Sequence, residues 1–175
     1  MSSNDLSTLL NFFSVQESVQ YQQFLLPWLI ATCIQRDDIA TLHQIQQAET
    51  GIHLNILLPS GLTSLHVCAI NGSIKCADLL LRSAAEIQTT VNEQDQVGFT
   101  ALYYAVLRQD YAMIDLLIKN GAKLSATLKP SEIGMHLCNS TKNNQVERLK
   151  AWHQAGANLD QTDYDGRTPL FMVNR

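Results

Sequence analysis

The chain has 175 residues, 46% of them apolar and 16% charged, with twelve Lys and Arg against sixteen Asp and Glu and a net charge of −4. That length suits one domain or one short array of repeats, and it can bury roughly 70% of the surface its unfolded form exposes. The chain is too apolar and too weakly charged for intrinsic disorder, and its deficit of cations speaks against a nucleic-acid phosphate surface or an anionic membrane as partner.

In chain order, residues 1–25 read as an N-terminal linker or cap: Met1 to Asp5 is polar, and Leu6 to Phe13 and Val15 to Tyr21 suit short helices. The longest apolar stretch, Phe24 to Ala31, has eight residues and contains Pro27, far short of the ~20 that cross a bilayer. The first basic residue is Arg36, so no positive leader region is expected. Cys33, Cys68, Cys76 and Cys138 form no CxxC pair and no zinc-finger spacing with histidine. Free thiols in a reducing, cytoplasmic compartment are expected.

From residue 26 onward the chain repeats itself. Gly61-Leu62-Thr63-Ser64-Leu65-His66, Gly98-Phe99-Thr100-Ala101-Leu102-Tyr103 and Gly166-Arg167-Thr168-Pro169-Leu170-Phe171 share one frame. Taking the leucine as anchor, Ile30, Leu65, Leu102, Leu137 and Leu170 lie 35, 37, 35 and 33 residues apart. Other columns follow. Three after the anchor stand Cys33, Cys68, Ala105, Ser140 and Val173, small enough for a neighbouring helix to approach. Eight after it stand Asp38, Ser73, Asp110 and Gln145, mostly residues that cap helices. Twelve and fifteen after it come Leu42 and Ile45, Ala77 and Leu80, Ile114 and Leu117, Leu149 and Trp152, an apolar stripe at helical period.

The local chemistry of each unit is turn, helix, short turn, helix, loop. Thr63, Thr100 and Thr168 are placed to cap the first helix through their hydroxyls, and Pro169 suits a first helical position. Gly72 is suited to stop a helix in the left-handed region, and Gly121 and Gly156 to end the second helix.

These frames resemble the ankyrin repeat, with its T-P-L-H-x-A signature and a period near 33. Thr63-Ser64-Leu65-His66-Val67-Cys68-Ala69 departs from the signature by Ser for Pro and Cys for Ala, and Asp163 to Leu170 fits it closely, with Phe171 in place of His. The resemblance implies an all-α solenoid of stacked helix-turn-helix units: four complete at about 26–58, 59–95, 96–130 and 131–162, and a partial fifth at 163–175. Leu170, Phe171 and Met172 would then be partly uncovered, which suggests a fragment of a longer protein or an end that meets a partner. Glu86 to Asp95 is expected to project from the finger side.

A narrower resemblance rests on the degenerate first and fourth units. Leu25-Leu26-Pro27, Gly134-Met135-His136-Leu137-Cys138 and Ala151-Trp152-His153-Gln154-Ala155-Gly156-Ala157 look like the ankyrin tail of animal cytosolic asparaginase/lysophospholipase-type enzymes. That family's catalytic domain is about twice this length and uses a threonine in a Gly-rich loop. This chain has no Gly-Gly pair, and Thr162-Asp163 lies in a repeat loop. No catalytic residue and no cofactor is expected.

His66 reads as a structural imidazole tying turns together, and the thiols as core groups. His136, His153 and Cys138 lack a fourth ligand for a metal. Trp152 reads as core and Trp28 as cover for the N-terminal end. The resemblance places a binding face on the first helices and finger tips. There the fifth and sixth positions after each anchor are Gln35 and Arg36, Ile70 and Asn71, Leu107 and Arg108, Lys142 and Asn143. The finger tips add Gln94, Gln96, Tyr164 and Asp165. With three cations and no anion in the helical columns, the expected function is non-catalytic protein binding. The alternative is an accessory tail of an asparaginase-type amidohydrolase.

Overall fold

Helices of eight to ten residues are too short to stand alone in water, so most of these must be held by what they pack against. The computed structural model describes residues 19–48, 56–58, 60–83 and 91–173, which are nearly all helical, with no strand. Leu6 to Phe13, residues 86–90 of the expected projecting loop, and Glu49, Thr50, Ala84 and Ala85 lie outside the described residues. The chain divides into two compact units, Met1–Ala84 and Ala85–Arg175.

The first unit contains α1 (Val19–Gln35), α2 (Ile39–Ala48), α3 (Ser64–Asn71) and α4 (Ile74–Ser83). α1 packs on α2 and α3, and α4 packs on α2 and α3. The anchors Ile30 and Leu65 are buried, as are Cys33 and Cys68 three residues on, and Leu42, Ile45, Ala77 and Leu80 on the second helices. Each such leucine taken out of water contributes roughly 1.5–3 kcal/mol. A finger precedes α3. Leu57 and Thr63 bridge antiparallel, and the Gly61 N–H closes the turn onto the Leu58 carbonyl at 2.9 Å.

The second unit contains α5 (Ala101–Arg108), α6 (Tyr111–Lys119), a 3-10 turn at Leu124–Ala126, α7 (Pro130–Lys142), α8 (Val146–Gln154) and α9 (Pro169–Val173). α8 packs on α5, α6 and α7, and α9 on α7. Leu102, Leu137, Ala105, Ser140, Ile114, Leu117 and Trp152 are buried, whereas Leu149 is only half-buried. Leu170 is 72% and Val173 65% exposed, so the column rule fails in the fifth unit.

One column was legible only where it held glycine. The seventh residue after each anchor is left-handed in all four hairpins: Asp37 (φ 50°), Gly72 (78°), Gln109 (61°) and Asn144 (53°). A side chain there costs roughly 1–2 kcal/mol, least for Asp and Asn, so Gln109 is the strained member.

The fourth unit lacks a finger. α3, α5 and α9 begin one residue before their anchors, but α7 begins at Pro130, seven before Leu137. Helix replaces the hairpin, started by the Glu132 carboxylate, which accepts the Lys129 N–H at 2.7 Å. Gly134 lies in this added helix. A Cβ on it would stand 2.0 Å from the Thr162 carbonyl oxygen, so the loop into the next finger lies directly on the glycine.

Several expected caps do other work. The Ser73 hydroxyl donates to the Ile34 carbonyl at 2.5 Å, joining two hairpins. The N–H it would have capped, that of Cys76, instead reaches the Asp37 carboxylate at a long 3.4 Å. Asp38 and Asp110 cap as expected, accepting the N–H groups of Thr41 and Met113 at 3.1 Å, while Gln145 makes no cap bond. Thr100 accepts the Thr127 hydroxyl at 2.8 Å rather than capping α5, and Thr168 accepts the Phe171 N–H only at 3.4 Å.

Candidate protein-binding surface

In the first unit, Gln35 ends α1 and Arg36 enters the turn, both exposed. Ile70 and Asn71 end α3, the first half-buried and the second exposed. In the second unit, Leu107 and Arg108 end α5, with Leu107 half-buried and Arg108 exposed, and Lys142 and Asn143 stand exposed at the end of α7. The asparagines are tied down: Asn71 Nδ2 donates to the Val67 carbonyl and Asn143 Nδ2 to that of Asn139, each at 2.9 Å.

The finger tips are built on two equivalent aspartates that the sequence columns did not single out. Asp95 Oδ1 accepts the N–H groups of Val97 and Phe99 at 2.9 Å, and Tyr104 donates its hydroxyl to Oδ2 at 2.5 Å. Asp163 Oδ1 likewise accepts the N–H groups of Asp165 and Arg167, and its Oδ2 pairs with Arg167 Nε, each at 2.9 Å. Those bonds from Arg167 and Asp165 hold the Asp163 carboxyl below the usual range. Asp165 also pairs with Arg167, which leaves Tyr164 as the exposed tip of this finger, at 66%. Gln94 bonds the Ala126 carbonyl, so its amide belongs to the structure of the unit, while Gln96 is exposed.

His66 Nδ1 accepts the Thr63 N–H at 3.2 Å and lies 2.8 Å from its hydroxyl, so the ring closes its own helix start. Trp28 is 55% exposed.

All four thiols are free and buried. Burial, then nearby carboxylates, pushes Cys33 up to about 11 and Cys76 up to about 12 and raises Cys138, while burial and then the neighbouring Cys76 raise Cys68. A thiol that stays protonated is a poor nucleophile. Thr162 is exposed, but the Asp163 oxygens are spent on the finger turn. Among the described residues, no three His, Cys, Asp or Glu side chains gather in a way that could hold a metal.

The second unit also carries a ring cluster that sequence columns missed. Tyr103 and Phe99 stack at 4.2 Å, His136 and Trp152 at 5.0 Å, and Tyr103 meets both of the latter edge-on. Burial lowers the basicity of His136, and the Arg148 charge lowers it further against the opposing effect of Glu132. The one available signal was Trp152, in a column where the other units have Ile45, Leu80 and Leu117.

A family model described as ankyrin repeats (3 copies) matches residues 29–127. The chain belongs to the ankyrin-repeat family. Among curated proteins it is 28% identical to an L-asparaginase of Dirofilaria immitis over 97% of this chain, and 33% identical to the mouse 60 kDa lysophospholipase over 93%. It is also 33% identical to the potassium channel AKT2/3 of Arabidopsis thaliana over 63%. The chain spans 28% of the length of the first two relatives and 13% of the channel. No helix among the described residues of this ankyrin-repeat chain is long and apolar enough to cross a membrane.

Proposed function

We propose that residues 26–175 form a non-catalytic array that binds a protein partner through the ends of its first helices and its finger tips. The observation that carries this reading is the presence of exposed cations and half-buried aliphatics at equivalent helix ends: Arg36, Arg108 and Lys142, with Ile70 and Leu107. Arginine beside apolar surface is the composition that interface cores favour. Tyr164 and Asp165 add a tip, and the exposed Leu170 and Phe171 a second contact at α9. The cytoplasm is the proposed compartment, where buried free thiols are stable.

The test is affinity capture from cell extract with the wild-type chain beside Arg36→Glu, Leu107→Ser, Arg108→Glu combined. Loss of the same partner with an unchanged circular dichroism spectrum is expected. Identical captures would dispose of the surface.

A second reading has its own support. The asparaginase and lysophospholipase similarities run along nearly the whole chain but cover little more than a quarter of each relative. That pattern supports an accessory tail of such an amidohydrolase. An upstream coding segment with a Gly-rich threonine motif would favour it. The purified chain alone should hydrolyse no amide above buffer, and a rate abolished by one point mutation would overturn the non-catalytic reading.

A further inference from the structure

Two Asn-Gly pairs stand in the sequence, Asn71-Gly72 and Asn120-Gly121. Glycine has no side chain to shield its backbone nitrogen, so an asparagine before it is open to attack on its amide carbon by that nitrogen. The structure puts both pairs at helix ends, with Asn71 the last residue of α3 and Asn120 just past α6. Each asparagine turns its amide back along its helix, away from the glycine. Asn71 Nδ2 donates to the Val67 carbonyl at 2.9 Å, and Asn120 Nδ2 to that of Leu116 at 2.8 Å. Each glycine is left-handed, at φ 78° and 90°. Each glycine N–H is also held, that of Gly72 by the Cys68 carbonyl at 2.8 Å and that of Gly121 by the Ile118 carbonyl at 2.9 Å. The surroundings differ. Asn71 is exposed, whereas Asn120 is half-buried and Asn92 Nδ2 adds a bond to the Gly121 carbonyl at 3.0 Å.

We propose that Asn71 is a site of spontaneous deamidation gated by the α3–α4 turn. The reaction runs only while the Asn71 bond to Val67 and the Gly72 bond to Cys68 are both broken. The Gly72 nitrogen then gives its proton to solvent and bonds to Asn71 Cγ. The Cγ–Nδ2 bond breaks, ammonia leaves, and a cyclic imide remains. Water adds to one imide carbonyl and breaks its bond to nitrogen, which leaves aspartate or its β-linked isomer. In sum, one amide and one water become one carboxylate and one ammonium ion. The new carboxylate sits at the C-terminal end of α3, where the helix dipole disfavours it. The β-linked isomer adds a methylene to the main chain just before the turn. That turn holds the Ser73 N–H on Cys68 at 3.0 Å and the Ser73 hydroxyl on Ile34 at 2.5 Å. A turn that has opened and reacted therefore does not close in the same way, and the product is a one-way record of opening. Asn71 is one of the helix-end residues, but this chemistry does not depend on what binds there.

The experiment incubates the full chain at mildly alkaline pH, beside the peptide acetyl-Ile-Asn-Gly-Ser-amide and beside the chain in urea. Digests are read by mass spectrometry for aspartate and its β-linked isomer at Asn71, with Asn120 in the same digest as control. In the folded chain Asn71 should convert about thirtyfold more slowly than in the peptide, the factor that two ordinary hydrogen bonds supply. Urea should restore the peptide rate. The slowing should match the hydrogen-exchange protection of the Gly72 N–H, which reads the same opening. Ser73→Ala, which frees the turn from Ile34, should speed Asn71 several-fold and leave Asn120 unchanged. Should that variant not fold, the match between slowing and exchange in the wild type decides alone. Folded Asn71 reacting at the peptide rate, or not at all while the urea sample converts, overturns the gated site. So does a slowing far larger than the Gly72 protection, or a Ser73→Ala variant that speeds both asparagines equally.

Discussion

In the first unit the second hairpin grips the first at the helix turns, through Ser73 on the Ile34 carbonyl and the Cys76 N–H on Asp37. In the second unit the grip comes from rings and longer side chains: Tyr103 against His136 and Trp152, and Tyr111 donating to Glu147 at 2.7 Å. The apolar columns beneath are the same in both. The comparison teaches that burial of matched columns sets the architecture, while the polar links between hairpins are settled locally by whichever side chains reach. The fingers differ in the same way: Leu58 occupies the position that carries Asp95 and Asp163 in the second unit.

The largest expected effect breaks the fingerless unit. Gly134→Ala drives a methyl into the Thr162 backbone, which cannot yield as a side chain would. A loss of about 3 kcal/mol is expected in urea denaturation, at the upper end of overpacking costs. A loss under about 1 kcal/mol would show that the loop onto α7 moves freely.

His66→Ala sharpens the contrast between a ring that closes its own helix start and Tyr103, which holds the same column in a ring cluster. It strands the buried Thr63 N–H, at a cost of about 1–3 kcal/mol. His66→Gln, which can still offer an acceptor, should recover part of that loss in the same denaturation series.

Gln109→Gly should instead stabilise, by about 1 kcal/mol, because it relieves a left-handed residue with a branched-free but bulky side chain. Gly72→Ala in the first unit should cost a similar amount with the opposite sign, since its φ of 78° strains any Cβ. Equal and opposite shifts in the denaturation midpoint would confirm that the turn column is the same backbone in both units.

A smaller effect separates the fingers by pH. The folded Asp163 carboxyl is held low, so its contribution is complete above the ordinary carboxylate range and fades as pH falls through its lowered value. Asp163→Asn should therefore destabilise at neutral pH and converge on wild type in strong acid. A mutant gap that persists unchanged in acid would assign the effect to packing instead.

Legibility followed the physics of each feature. The anchor, small and stripe columns were readable because burial acts on residue type at fixed spacing, and Ile30, Cys68, Ala105 and Leu117 are buried where that spacing puts them. The left-handed column was readable at Gly72 alone, since Asp37, Gln109 and Asn144 carry no such mark. The Thr63, Thr100 and Thr168 frame was found, but what their hydroxyls bond to depends on neighbours far along the chain. The helix-end columns follow from repeat position alone, whereas the Tyr103, His136 and Trp152 cluster joins residues from three helices and has no local signature.

What the sequence determined by itself is the repeat: its period, its buried columns and most of its helix ends, because backbone propensity and apolar burial act within a few turns. What only the tertiary structure decided is how hairpins are joined. The replacement of the fourth finger by helix belongs to the same class, because the close approach at Gly134 comes from residues almost thirty positions away. Hydrogen bonds and close contacts depend on distances of a few tenths of an ångström between distant segments, and no spacing rule along one strand of sequence carries that information.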